Sequence, residues 1–177
     1  MSGFERQARE TAWEGEIFSV RRERWRHADG EEVSREVVEH PGAVGVVAYD
    51  DEHVYLVRQP REATGDPALL ELPAGKLDVE GEPPLETAKR ELGEEINKAA
   101  AHWTEVKAFW SSPGLTDERV TIYAATGLSD AGVEPDAGER IEVVPWPLAD
   151  LDGAIASCED SKSLIGLLWL RSRRAAG

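Results

Sequence analysis

The chain has 177 residues, 41% hydrophobic and 31% charged, enough for one domain with a sizeable core and unlike a disordered segment. A formal net charge of −15 sets the surface against polyanions, so nucleic acid is not an expected partner. The polar start "MSGFERQARETAWEGE", the single cysteine Cys158 and the lack of a long apolar run argue against a signal peptide, an intramolecular disulfide and a membrane span. The expectation is a cytoplasmic protein.

In chain order, "EIFSVRRERWRHADGEEVSREVVEH" reads as two strands around an Asp29-Gly30 turn, because such a pair supplies the positive φ of a tight hairpin. Its segment "RRERWRH", residues 21–27, is basic in an acidic chain. It is either a solvated strand face or a surface for an anionic ligand. "GAVGVVAYD" and "HVYLVRQ" follow as β-rich runs, and "ALLELPAG" as a short strand ending at Pro73 and Gly75. From Pro83 to about Asn97 the period becomes helical. Leu85, Ala88, Leu92, Ile96 and Ala99 recur at three- and four-residue steps as one apolar face. Prolines 83 and 84 suit a first helical turn, where an N–H has no partner anyway. "TEVKAFW", "ERVTIYAAT" and "RIEVVPW" read as strands, and "SKSLIGLLWLRSRR" as a helix with basic residues at its C-terminus. Most of the six tryptophans are expected in the core. The pattern is a mixed α+β fold, a sheet layered with helices.

Three acids, Glu91, Glu94 and Glu95, fall late in the first helix. Like charges at that spacing repel, and acids near a helix C-terminus oppose its dipole. At about 100° per residue the three occupy an arc of roughly 100° beside the apolar face. They form either a solvated acidic face or a site for a hard divalent cation, which takes oxygen ligands.

The stretch from Gly75 to Lys98 resembles the Nudix hydrolase motif. Gly75 opens it, Glu82 is its first glutamate, and Arg90-Glu91-Leu92-Gly93-Glu94-Glu95-Ile96 is its core. It departs from the pattern by one extra residue between Gly75 and Glu82, by Asn97 in place of the closing glycine, and by Lys98 in place of an apolar residue. A loop absorbs the insertion, and Asn is the next-best residue for a left-handed helix end. The resemblance implies a Nudix α/β/α sandwich and hydrolysis of a nucleoside diphosphate derivative with Mg²⁺, or Mn²⁺. By positional match it implies Glu91 and Glu95 as primary metal ligands, Glu94 sharing a second ion, and the Ala74 carbonyl as a further oxygen. Glu82 and Arg90 would pair as structural support.

Three further segments resemble the ADP-ribose pyrophosphatase branch of the family: "LELPAGKLD", "SSPGLTDE" with Pro113 sixteen positions after Asn97, and "SREVVEH" followed by "VRQPRE". This likeness implies hydrolysis of ADP-ribose to AMP and ribose 5-phosphate. It also implies an N-terminal antiparallel β-domain over 1–40 that builds a swapped homodimer, ahead of a Nudix domain over 41–177. Pro113 is then a substrate marker rather than an ordinary turn proline. Arg35 and Arg61 are either surface charge or contacts to phosphates or ribose, since guanidinium forks suit phosphate oxygens. Trp25 and Phe18 either stack on adenine or pack the dimer interface. In this branch a loop glutamate after the motif helix is the general base. Glu139 in "EPDAGERIEV" matches it, with Asp136 in reserve. The other readings are a Nudix hydrolase of a different nucleoside diphosphate sugar, a dinucleotide or a nucleoside triphosphate, and a non-catalytic nucleotide sensor. The intact Arg90, Glu91, Glu94 and Glu95 weigh against the sensor.

Overall fold

The computed structural model describes residues 3–16, 18–133 and 140–176. The chain divides into two units, Met1–Gly42 with Trp110–Arg119, and Ala43–Phe109 with Val120–Gly177. The first unit therefore takes in a second segment from far along the chain.

In the first unit, Gly30 at φ 91° turns the chain between β2 (Ser19–His27) and β3 (Glu32–Glu39), a conformation open to a residue without Cβ. The His27 N–H closes the hairpin on the Glu31 carbonyl at 2.8 Å. A strand the sequence did not reveal, β1 (Phe4–Glu14), pairs antiparallel with β2 and completes a sheet in the order β1-β2-β3. Almost every β1 residue is exposed, so no apolar alternation marks it. The backbone ladder and cross-strand ion pairs hold it instead, Arg6–Glu23 at 3.3 Å and Arg9–Glu39 at 2.8 Å. Residues 110–119 return to β3, where the Val38 N–H donates to the Leu115 carbonyl at 2.9 Å. The buried Arg21 fastens them, holding Glu39 at 3.1 Å with one amino group and Asp117 with the other.

The second unit is built on a seven-stranded sheet in the order β10-β5-β4-β9-β8, with β6 on β5 and β7 on β4. The strands are β4 (Ala43–Tyr49), β5 (His53–Arg61), β6 (Asp66–Glu71), β7 (Ala74–Lys76), β8 (Lys98–Trp110), β9 (Arg119–Asp130) and β10 (Glu142–Pro147). The central β4 is parallel to β9 and antiparallel to β5. Its side chains alternate between two cores. Val44, Val46 and Ala48 join Ala88, Leu92 and Ile96 of α1 (Pro84–Ile96), whereas Val47 joins Leu151 and Ala154 of α2 (Leu151–Ser157) and Leu167 and Leu170 of α3 (Ser161–Ala175). This is the expected α/β/α sandwich. Full burial of each valine, leucine or isoleucine among them contributes roughly 1.5–3 kcal/mol. Gly166 lets α3 approach the sheet, since a Cβ there would lie 2.7 Å from Leu72 and Val47. Among the described residues no helix is long and apolar enough to cross a membrane.

Several details correct the sequence reading. "ALLELPAG" is two strands, because Pro73 has no N–H and the Leu72 N–H goes to the Ser163 hydroxyl at 2.7 Å. Ala99 is exposed and belongs to β8 rather than to the helix face. None of the six tryptophans is buried, and Trp13 and Trp110 are about half exposed. The short helix α2 follows β10 with little polar-apolar contrast, so no periodicity announces it.

Asn97 ends α1 at φ 53°, ψ 40°, with its N–H on the Gly93 carbonyl at 3.0 Å, which is the left-handed cap its side chain favours. Asn97→Ala should cost about 1 kcal/mol and lower Tm by about 2–4 °C, whereas Asn97→Gly should stay nearer the parent in the same thermal scan.

Candidate functional site

The motif residues meet along one edge of α1 in the second unit. The Arg90 guanidinium lies among three carboxylates: Glu82 at 3.2 Å, and Glu91 and Glu94 at 2.8 Å each. One cation thus offsets the repulsion that the sequence posed as a problem. Its bond to Glu82 is the main reason the Arg90 pKa is raised, and Glu91 and Glu94 add to it. Glu82 is held below the usual carboxylate range first by Arg90 and then by the Thr87 hydroxyl, which donates to it at 2.8 Å. The expected Glu82–Arg90 pairing is present, tying the loop before α1 to the helix.

Glu91 and Glu95 both reach the turn at β7. Glu95, 5% exposed, accepts the Ala74 N–H at 2.9 Å. Glu91 lies over Gly75, where a Cβ would fall 2.0 Å from its carboxyl carbon. The motif's opening glycine thus leaves the space that the Glu91 carboxylate occupies, and a side chain there would displace it. Among the described residues no three acids, histidines or cysteines are grouped as a metal site. Arg90 Nη1 holds Glu91 through Oε1 and Glu94 through Oε2, one oxygen of each carboxylate. The Glu91 and Glu95 carboxylates at this turn are oxygen donors of the kind a hard divalent cation takes.

Sequence reasoning missed a second cluster beside this turn. Glu71, 1% exposed, receives Arg61 side-on, Nε to Oε1 at 2.5 Å and Nη2 to Oε2 at 2.9 Å, and also the Lys162 ammonium. Lys162 and the Ser163 hydroxyl both donate to Asp160, at 2.9 and 2.5 Å. Burial resists ionisation of Glu71 and Asp160, but the cations and hydrogen bonds outweigh it and hold both below their ordinary pKa. The available signal was an acid inside the apolar run "ALLEL", which must be paired if it is buried. Its partner was not legible, because "DSKS" reads as an ordinary helix start.

In the first unit, Trp25, Arg35 and Pro113 line one cavity of about 310 Å³ together with Val33, Val37 and Leu115. Trp25 lies edge-on to Phe4 at 5.2 Å and under Arg6 at 5.6 Å. Arg35 is exposed, with Nη1 donating to its neighbour's carbonyl at 2.8 Å. Phe18 is elsewhere, 5.2 Å from Trp13. The basic segment is largely a paired face: Arg21 holds Glu39 and Asp117, Arg22 holds Glu10 and Glu36, and Arg26 holds Glu32. Glu139 and Asp136 lie outside the described residues.

A NUDIX domain matches residues 39–162, more than half of the chain, and the chain belongs to the Nudix family. A Mycobacterium tuberculosis protein named ADP-ribose pyrophosphatase is 47% identical over 135 residues, covering 76% of this chain and 64% of that protein. The chain therefore spans less than two thirds of that relative. A Bacillus subtilis protein of the same name is 36% identical over 173 residues, covering 95% of this chain and 92% of that one. A crystal structure described as an ADP compounds hydrolase shares the fold, with TM-score 0.84 at 24% identity over 98% of this chain and 95% of that one.

Replacing Arg90 by Met should destabilise the metal-free protein at neutral pH by leaving Glu82, Glu91 and Glu94 without their shared cation. The folded state depresses the Glu82 pKa, so the stability this gives is present above the usual glutamate range and fades as pH falls through it. The Tm gap between Arg90→Met and the parent should therefore close on acidification, and a gap that widens below the glutamate range would contradict the pairing.

Proposed function

We propose that this chain is an ADP-ribose pyrophosphatase, hydrolysing the pyrophosphate of ADP-ribose to AMP and ribose 5-phosphate. The observation that carries it is the placing of Glu91 and Glu95 at the Ala74–Gly75 turn, with Arg90 among Glu82, Glu91 and Glu94, in a chain alignable over 95% of its length with a relative of that name. A divalent cation, Mg²⁺ or alternatively Mn²⁺, held by Glu91, Glu94, Glu95 and the Ala74 carbonyl, would neutralise the pyrophosphate and lower the pKa of the attacking water. Glu82 and Arg90 tie the preceding loop to the helix that carries these carboxylates. In the second unit Arg61 binds phosphate or ribose oxygens; in the first unit Arg35 suits the same oxygens, and the cavity with Trp25 and Pro113 suits a flat apolar group such as adenine. Glu139 accepts the proton of the attacking water, with Asp136 as the alternative. A cytoplasmic location, action as a homodimer and the absence of a nucleic-acid partner belong to the same reading, and the net charge of −15 supports the last.

The test is a panel of ADP-ribose, other nucleoside diphosphate sugars, dinucleotides and nucleoside triphosphates, with Mg²⁺ or Mn²⁺ and products separated by chromatography. ADP-ribose should be the preferred substrate. Glu95→Gln keeps an acceptor for the Ala74 N–H, so the fold should survive while kcat falls by orders of magnitude. Near-parental turnover by that variant at saturating Mg²⁺ would overturn the metal assignment. Glu139→Gln should lower kcat more than it raises KM. Full activity there, with Asp136→Asn inactive, would move the base to Asp136.

A further inference from the structure

Of the Glu71 cluster only Arg61 enters the function proposed above, yet the whole cluster borders the turn that carries the motif carboxylates. The strap from Glu71 to Ala74 is held at each residue. Glu71 binds Arg61 and Lys162, the Leu72 N–H goes to Ser163, the Pro73 carbonyl accepts the Val46 N–H at 2.8 Å, and the Ala74 N–H goes to Glu95. The charges within the cluster balance: two cations, Arg61 and Lys162, against two carboxylates, Glu71 and Asp160. Three of these four groups are well shielded, with side-chain exposures of 1% for Glu71, 14% for Lys162 and 17% for Asp160. Arg61 differs, at 41%.

The geometry of Arg61 explains the difference. Glu71 grips its Nε–Nη2 edge, and a guanidinium held on that edge still has the N–H groups of Nη1 facing away. Were Glu71 paired with Arg61 alone, the buried carboxylate would consume the whole Arg61 charge. Lys162 takes up part of the Glu71 charge from the inner side, and Asp160 in turn anchors Lys162 through the cap of α3. We infer that Lys162 and Asp160 are positioning residues that set the charge Arg61 presents, leaving its outer edge to bind a phosphate group of the substrate. The inference rests on the proposed function in taking a nucleoside diphosphate as the ligand.

The sign of the effect separates this role from simple support. Binding of ADP-ribose is measured by calorimetry with EDTA present, so that no turnover is required. Lys162→Met keeps the aliphatic stem and leaves the cluster one charge more negative, so Kd should rise roughly three- to tenfold. Asp160→Asn keeps an N-cap for α3 and leaves the cluster one charge more positive, so Kd should fall. The double variant restores the balance and should return Kd to within about twofold of the parent, as should Lys162→Arg. With Mg²⁺ added, the change should appear in KM while kcat is held. A purely structural role makes the opposite forecast: both single variants bind more weakly, and the double variant is the weakest. Weaker binding by Asp160→Asn, or equal Kd in the parent and both single variants, overturns the inference. Because Asp160→Asn is isosteric and capped, its result is decisive even where Lys162→Met fails to fold. Kd values in the predicted order without hydrolysis would sink the proposed activity and keep this inference, whereas hydrolysis of ADP-ribose with unchanged Kd values would do the reverse.

Discussion

Three carboxylates within five positions cannot share one edge of a helix without a counter-charge. Much of the architecture around α1 answers that constraint. Arg90 lies close by on the same helix and reaches Glu91 and Glu94, while Glu82 holds its other side from the preceding loop. Glu95 turns inward and accepts the Ala74 N–H, and Glu91 lies over a glycine with no side chain to displace it. The repulsion is thus distributed over a cation, a backbone donor and a gap. The last two arrangements bring the Glu95 and Glu91 carboxylates to one backbone turn.

The same logic recurs wherever this acidic chain buries charge. Glu71 is almost fully inaccessible and is matched by Arg61 and Lys162. In the first unit Arg21 is buried between Glu39 and Asp117, and Glu23 is buried with Arg6 beside it. Desolvation of such groups is costly, and removing one partner costs more than the pair contributes. These pairs are therefore better understood as constraints on position than as sources of stability. One orders the strap leading to the motif, and another fastens residues 110–119, with Pro113, to the sheet that carries Trp25 and Arg35.

Family membership and the site's geometry carry different weight. The matched domain and the aligned relatives establish Nudix ancestry, while the arrangement of Arg90, Glu91 and Glu95 around Ala74 and Gly75 indicates what chemistry that ancestry leaves intact.

Local signals were legible in the sequence because local physics produces them. The period of Leu85, Ala88, Leu92 and Ile96 marked α1, Asp29-Gly30 marked a hairpin, and Asn97 marked a left-handed helix end. The resemblance of Glu82, Arg90, Glu91, Glu94 and Glu95 to the Nudix motif pointed to the candidate site, while helix spacing by itself only placed Glu91, Glu94 and Glu95 on one edge of α1. Strand β1 escaped notice because a strand exposed on both faces needs no apolar alternation. The Glu71–Lys162 contact escaped because its partners are 91 residues apart and neither stands in a periodic pattern. Ion pairing leaves no trace in sequence spacing unless both partners lie on one element. Which acid meets which base, whether an arginine faces a ligand or a carboxylate, and where Trp25, Arg35 and Pro113 converge were decided only by the tertiary structure, which brings distant segments to the same place.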